Sequence, residues 1–175
     1  AALFRLSPGL EADRTAASRP APAAPVADPQ PQAPAPDPAP SRTGGRILVL
    51  DDEPPVRSLL EQVLTAAGHE VVAVATGEQA IQAYTAAHGD PERAFAAAIM
   101  DLTIPGDLGG AEALARIRAV DPDVRAIVAS GYSQDPVMSS YRAHGFVARL
   151  AKPFDRSTLL EVVGRVLAAA DDGAS

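Results

Sequence analysis

RILVLDDEPPVRSLLEQVLTAAG, residues 46–68, contains one complete strand–helix repeat. Its aliphatic run at 47–50 is typical of a buried strand. Pro54 and Pro55 stand where a helix can begin, because the first helical turn needs no backbone N–H from them. Gly68 is a typical helix end. The apolar residues between recur at helical spacing and predict one buried face, made of Val56, Leu59, Leu60, Val63 and Leu64.

The same alternation of strand and helix recurs four more times downstream. It predicts strands at 71–75, 96–100, 124–130 and 146–151. It predicts helices at 77–88, 110–120 and 156–170, with another beginning at Pro136 and capped by Asp135. Five such repeats favour an α/β fold, in which a parallel sheet carries helices on both faces.

The first 45 residues have a different composition. They contain 10 of the 17 prolines, and proline at this density prevents helices and sheet ladders. We therefore predict a disordered Ala/Pro-rich linker at 8–44 and a folded domain at 45–172. Residues 1–7 contain a short strand-like run that resembles the end of a histidine-kinase ATP-binding domain, which suggests a remnant of a preceding domain.

The net charge of −7 lies entirely after residue 45, where 18 acidic side chains outnumber 11 basic ones. Nucleic-acid-binding domains normally have a basic surface, so binding to nucleic acid is not expected. The sequence has no cysteine, no signal peptide and no apolar run long enough to span a membrane. These features predict a cytoplasmic protein without membrane contact.

Polar side chains follow four of the five predicted strands. Asp51 and Asp52 follow the first strand, and Asp101 follows the third. Ser130 ends the fourth strand, and Lys152, the single lysine of the chain, follows the fifth. Because ligands of open parallel sheets bind beyond the carboxyl ends of the strands, we expect these side chains to form one site.

Several carboxylates at one edge of a sheet need a cation. Two of them ~5 Å apart repel by roughly 3 kcal/mol at an effective dielectric constant of about 20. Oxygen ligands at an open site favour Mg²⁺, which pairs readily with phosphate oxygens. A carboxylate can also act as a nucleophile and form an aspartyl phosphate, while a lysine and a hydroxyl stabilise the transferred group.

Four motifs resemble, in order and spacing, the signatures of receiver domains in two-component response regulators. The motifs are Val49-Leu50-Asp51-Asp52-Glu53, Ile99-Met100-Asp101-Leu102-Thr103-Ile104-Pro105-Gly106, Val128-Ala129-Ser130-Gly131 and Lys152-Pro153-Phe154. This resemblance implies a doubly wound, flavodoxin-like sheet of five strands in the order 2-1-3-4-5.

The resemblance also implies a role for each residue of the site. Asp101 is expected to be the phosphoacceptor. Mg²⁺ is expected to be bound directly by Asp52, Asp101 and the backbone carbonyl of Thr103, with Asp51 assisting through water. Lys152 is expected to bind the phosphoryl group.

Further residues are expected to tune the site. Ser130 corresponds to the switch hydroxyl, and the bond before Pro153 is expected to be cis. Thr103 and Tyr132 occupy the positions that control access of water to the phosphoryl group. Arg149 stands where receivers often carry an aromatic switch residue, which puts the usual aromatic coupling in doubt.

The residues at 100–110 and 131–136 are most similar to those of receivers attached to hybrid sensor histidine kinases. The implied partners are a histidine kinase domain, in the same parent chain or another, and a histidine phosphotransfer protein. A receiver is not itself a turnover enzyme, and its output runs through protein–protein contacts. The parent chain would then be a hybrid histidine kinase.

Two other functions compete with this interpretation. A haloacid-dehalogenase-like phosphatase also uses an aspartate on a Rossmann-like sheet, but it places a second Asp where this chain has Thr103. A docking module that works without phosphorylation is the other alternative. The complete acidic set argues against it.

Overall fold

The computed structural model describes residues 44–132 and 135–171. The predicted remnant at 1–7 and nearly all of the predicted linker at 8–44 lie outside the described residues. In the described part, the helices are too short or too polar to cross a membrane.

Strands and helices alternate along the chain as the sequence predicts. The strands are β1 (Arg46–Leu50), β2 (Glu70–Val74), β3 (Ala97–Asp101), β4 (Ala126–Ser130) and β5 (Ala148–Ala151). The helices are α1 (Pro54–Ala66), α2 (Gly77–Ala87), α3 (Gly110–Arg118), α4 (Pro136–Ser139) and α5 (Arg156–Asp171). The strands are parallel and form one sheet in the order β2-β1-β3-β4-β5, which confirms the predicted fold class.

Each face of the sheet has its own hydrophobic core, because successive strand residues point to opposite sides. Leu48, Met100 and Val128 pack against α2, α3 and α4. On the other side Val49 and Ile99 pack against α1 and α5. The three inner strands are therefore buried on both faces, which explains their unbroken apolar sequences.

One prediction about a helix face is wrong, and one about a helix start is confirmed. Leu59 was expected on the buried face of α1, but its side chain is 50% exposed because Leu60 and Leu64 form the centre of that face. The fourth helix begins at Pro136 as predicted, and Asp135 caps it by accepting a hydrogen bond from the Val137 N–H at 2.8 Å. It ends after four residues, and a series of turns then leads to β5.

Candidate functional site

The backbone of the sheet places two aspartates side by side at its centre. Asp51 is the first residue after β1, and its N–H donates to the Val74 carbonyl at 3.2 Å. Asp101 is the last residue of β3 and is in register with Ala129 of β4. Strand order reverses at β1 and β3, so both carboxyl groups lie where open α/β sheets bind ligands.

Three carboxylates form a tight cluster at this edge. Asp51, Asp52 and Asp101 each offer one oxygen, and these oxygens lie within 4.8 Å of one another. Asp51 is 1% exposed and Asp101 is 6% exposed, whereas Asp52 is half-buried. The three side chains that were expected to bind Mg²⁺ thus lie together.

Lys152 neutralises part of this negative charge. Its Nζ donates to Asp51 Oδ2 at 2.6 Å and to Asp101 Oδ2 at 2.8 Å. The Lys152 backbone N–H donates to the Ser130 carbonyl at 2.8 Å, which fixes the start of the lysine side chain relative to β4. The peptide bond between Lys152 and Pro153 is cis.

The ionisation of the lysine–aspartate pair is set by two opposing effects. Burial raises the pKa of Asp101, and the hydrogen bond and charge of Lys152 offset this only in part. Burial lowers the pKa of Lys152, but its hydrogen bonds to Asp101 and Asp51 outweigh that effect, so the pKa is raised overall. The ammonium therefore stays charged, and further positive charge would stabilise the Asp101 carboxylate.

Asp52 and Asp101 border a cavity of about 290 Å³. Ser130 lines this cavity although it is 1% exposed, and its Oγ accepts a hydrogen bond from the Tyr132 N–H at 3.1 Å. Thr103 lines it as well and is exposed. Tyr132 also lines it, with 70% of its surface exposed. Seven of the predicted site residues therefore border one cavity or bind one another: Asp51, Asp52, Asp101, Thr103, Ser130, Tyr132 and Lys152.

Arg149 lies apart from this group. Its guanidinium donates to the Met138 carbonyl at 3.2 Å and lies 5.9 Å from the centre of the Tyr141 ring. It lines a different cavity, between β5 and α5. The structure therefore gives Arg149 no direct contact with the acidic cluster.

Sequence reasoning missed three supports of the site. Arg57 donates to the Asp51 carbonyl at 2.6 Å, and the Glu53 N–H donates to Asp51 Oδ1 at 2.9 Å. Gly110 packs so closely that a Cβ there would lie 2.5 Å from the Asp101 carbonyl oxygen. The spacing of Arg57, one helical turn into α1, was the available signal. The contact between Gly110 and the Asp101 carbonyl joins separate backbone segments, so it leaves no signal in the sequence.

An aspartate cluster with a lysine and a hydroxyl, at the carboxyl edge of a doubly wound sheet, defines a class of protein whose site can take a phosphoryl group on a carboxylate. A comparison with known protein families supports this class. Residues 47–164 match the model of the response regulator receiver domain, and the chain belongs to this family.

Individual relatives show the same similarity. The chain is 31% identical over 124 residues to the chemotaxis protein CheY of Thermotoga maritima, covering 70% of this chain and 98% of that protein. It resembles the crystal structure of the receiver domain of sensor histidine kinase PA1611 from Pseudomonas aeruginosa, which has a magnesium ion in its active-site cleft. That match has 28% identity and a TM-score of 0.61, and covers 71% of this chain and 98% of that one.

Longer proteins also contain the same domain. The crystal structure of NtrX from Brucella abortus, in complex with ADP, matches at 26% identity with a TM-score of 0.66. The match covers 74% of this chain but only 28% of NtrX. Receivers of this kind thus occur both alone and as parts of larger proteins.

The crowding of carboxylates predicts a measurable effect of Asp52. We expect Asp52→Asn to raise the free energy of unfolding by about 1 kcal/mol without Mg²⁺, because it removes repulsion from Asp51 and Asp101 while both keep their bond to Lys152. For a domain of this size the melting temperature should rise by roughly 4 °C. Thermal melts in EDTA test this, with Glu61→Gln, at an exposed position of α1, as the control. An unchanged or lower melting temperature would contradict it.

Proposed function

We propose that Asp101 accepts a phosphoryl group from a phosphohistidine donor in a Mg²⁺-dependent reaction. One observation carries this proposal: the Asp101 carboxylate borders an open cavity and binds Lys152, with two more carboxylates within 4.8 Å. No other carboxylate of the described residues combines these features.

The residues present fit a magnesium ion. The clustered ligands are all carboxylate oxygens, and their negative charge exceeds the single ammonium that faces them. We assign the metal to Asp51, Asp52, Asp101 and the carbonyl of Thr103. Mg²⁺ bound there would supply positive charge to the oxygens of the incoming phosphoryl group. The magnesium in the cleft of the PA1611 receiver supports this assignment.

Three residues of this chain, Asp101, Lys152 and Ser130, would each have a role in phosphoryl transfer. An Asp101 oxygen attacks phosphorus while the bond from phosphorus to the donor imidazole nitrogen breaks, so that the imidazole leaves with the bonding electrons. Lys152 would exchange part of its contact with the two aspartates for a phosphoryl oxygen. Ser130 Oγ has a proton to donate to a second oxygen, since it now accepts from Tyr132.

The source of the phosphoryl group defines the role of this chain in signalling. We propose that a histidine kinase domain of the same parent chain supplies the group, and that a histidine phosphotransfer protein receives it, in the cytoplasm. Similarity to the receiver of a sensor histidine kinase supports a hybrid-kinase origin. Phosphotransfer from an isolated phosphorylated kinase domain tests this. Mg²⁺-dependent transfer to this chain supports the proposal, and transfer that is equally fast in EDTA contradicts it.

A turnover assay separates this function from that of a phosphatase. We expect no steady hydrolysis of a phosphomonoester such as p-nitrophenyl phosphate, because the position two residues after Asp101 holds Thr103 and not a second acid. Product released over many turnovers, and lost in Asp101→Asn, would favour the phosphatase.

Tyr132 is expected to control how long the phosphoryl group survives. It lines the cavity, and neither Tyr132 nor Thr103 is an acid or amide that could orient an attacking water. We expect Tyr132→Ala to lose its phosphoryl group ~10-fold faster, which corresponds to about 1.4 kcal/mol of barrier. Decay of labelled protein measures this. Tyr132→Phe keeps the ring and should match the wild type, and equal decay in the alanine variant would rule out shielding.

A further inference from the structure

A second cavity lies on the outer edge of the sheet, away from the acidic cluster. It has a volume of about 550 Å³ and is bordered by β5, α5 and the turns after α4. Four of its lining residues are arginines: Arg125, Arg142, Arg149 and Arg165. A neighbouring cavity of about 420 Å³ shares Arg142 and adds Arg118. Five of the 11 basic side chains after residue 45 therefore lie on this side of an acidic domain.

Much of this positive charge has no carboxylate partner. The guanidinium groups of Arg142 and Arg149 lie over the same ring of Tyr141, at 5.6 and 5.9 Å from its centre. In the described part of the chain neither group forms an ion pair, whereas Arg165 reaches Glu161 at 3.2 Å. Two cations that line the same cavity, neither of them paired with a carboxylate, favour the binding of an anion there.

Other residues that line the cavity are apolar. Val147, Val162 and Val166 contribute apolar surface, and Val147 is 42% exposed. Guanidinium groups bind phosphate through paired hydrogen bonds, and their flat faces stack on aromatic rings. The volume falls within the range of small-molecule sites. A ligand that fits both parts has a phosphate group and a flat, weakly polar ring system.

From this combination we infer that the cavity binds a nucleotide, with phosphate oxygens on Arg142 and Arg149 and the base against the valines. Long nucleic acids are disfavoured, since the domain carries 18 acidic and 11 basic side chains. The inference goes beyond the proposed phosphoacceptor function and needs neither Mg²⁺ nor Asp101.

Calorimetric titration of the 175-residue protein with ADP, in EDTA and at low salt, tests the inference. EDTA removes the metal, and ADP is no phosphohistidine donor, so the result is independent of Asp101. We expect ADP to bind at least ~10-fold more tightly than adenosine or pyrophosphate, because each of these lacks one half of the ligand. Binding of pyrophosphate as tight as that of ADP would mean that the cavity recognises phosphate alone. Equal binding of a short oligoglutamate peptide would mean recognition of charge alone, and either result would overturn the nucleotide assignment.

Matched variants locate the binding. Arg142→Gln/Arg149→Gln should bind ADP ~10-fold or more weakly, because two charge-assisted contacts are lost. Arg93→Gln/Arg116→Gln removes the same charge from exposed positions outside the cavity and should bind as the wild type does. Thermal melts verify that both variants fold, and Ala169→Glu, which adds a carboxylate to the cavity wall, should weaken binding as well. Equal affinity of the wild type and the cavity variants, or equal loss in the control, would overturn the inference.

Discussion

Replacing Asp101 with asparagine is expected to abolish labelling by acetyl phosphate. The amide has no negatively charged oxygen to attack phosphorus, and Asp101 is the residue of the acidic cluster that both ends β3 and borders the cavity next to Lys152. The fold should survive, because asparagine has nearly the same shape and can still accept the bond from Lys152. Intact-mass analysis after incubation with acetyl phosphate and Mg²⁺ measures the labelled fraction.

Asp107→Asn is the matched control for this experiment. Asp107 lies exposed in the loop after β3. Within the described residues, its side chain accepts one hydrogen bond, from the neighbouring Leu108 N–H to Oδ1. This variant should label as the wild type does. If Asp101→Asn takes up phosphoryl groups to the same extent as the control, Asp101 is not the phosphoacceptor.

Replacing Lys152 with methionine is expected to damage both stability and labelling. The ammonium group lies 2.6 Å from Asp51 and 2.8 Å from Asp101, so its loss leaves two buried carboxylates without a cation. Removing one partner of a buried pair costs about 3 kcal/mol, which should lower the melting temperature in EDTA by roughly 10 °C. Labelling with Mg²⁺ should slow by ~100-fold, because the phosphoryl oxygens lose a positive charge.

Lys152→Arg separates the two effects. It keeps the charge and should recover most of the stability, but its broad planar group cannot replace a compact ammonium in the same space, so labelling should stay slow. Urea unfolding and initial labelling rates, both measured below the melting temperature of each variant, test this. Full labelling by the methionine variant would show that Lys152 plays no part in transfer.

Sequence patterns predicted the parallel sheet and the residues that meet at its edge, and the resemblance to receiver domains implied the strand order. The strands and the edge residues could be predicted because they depend on short-range patterns: apolar runs for the strands, proline and glycine at helix ends, and polar residues at or directly after the ends of β1, β3, β4 and β5. The parallel topology then brings residues as far apart as Asp51 and Lys152 into contact.

Features that depend on packing between distant segments were not predicted. Leu59 follows the helical pattern, yet its exposure depends on how α1 sits on the sheet. The shortness of α4 reflects the turns that lead to β5, and the sequence does not mark them clearly. The grouping of Arg125, Arg142, Arg149 and Arg165 joins the residue before β4, a turn, β5 and α5. Local sequence patterns do not reveal contacts between such distant segments.

Mapping the phosphorylated residue in the wild-type protein tests the central claim most directly. The protein would be incubated with acetyl phosphate in Mg²⁺ or in EDTA, and the acyl phosphate trapped by reduction before digestion and peptide sequencing by mass spectrometry. We expect one modified residue, Asp101, in Mg²⁺ and almost none in EDTA. Modification of another residue, or equal modification of Asp101 without the metal, would contradict a Mg²⁺-dependent phosphoacceptor at the end of β3.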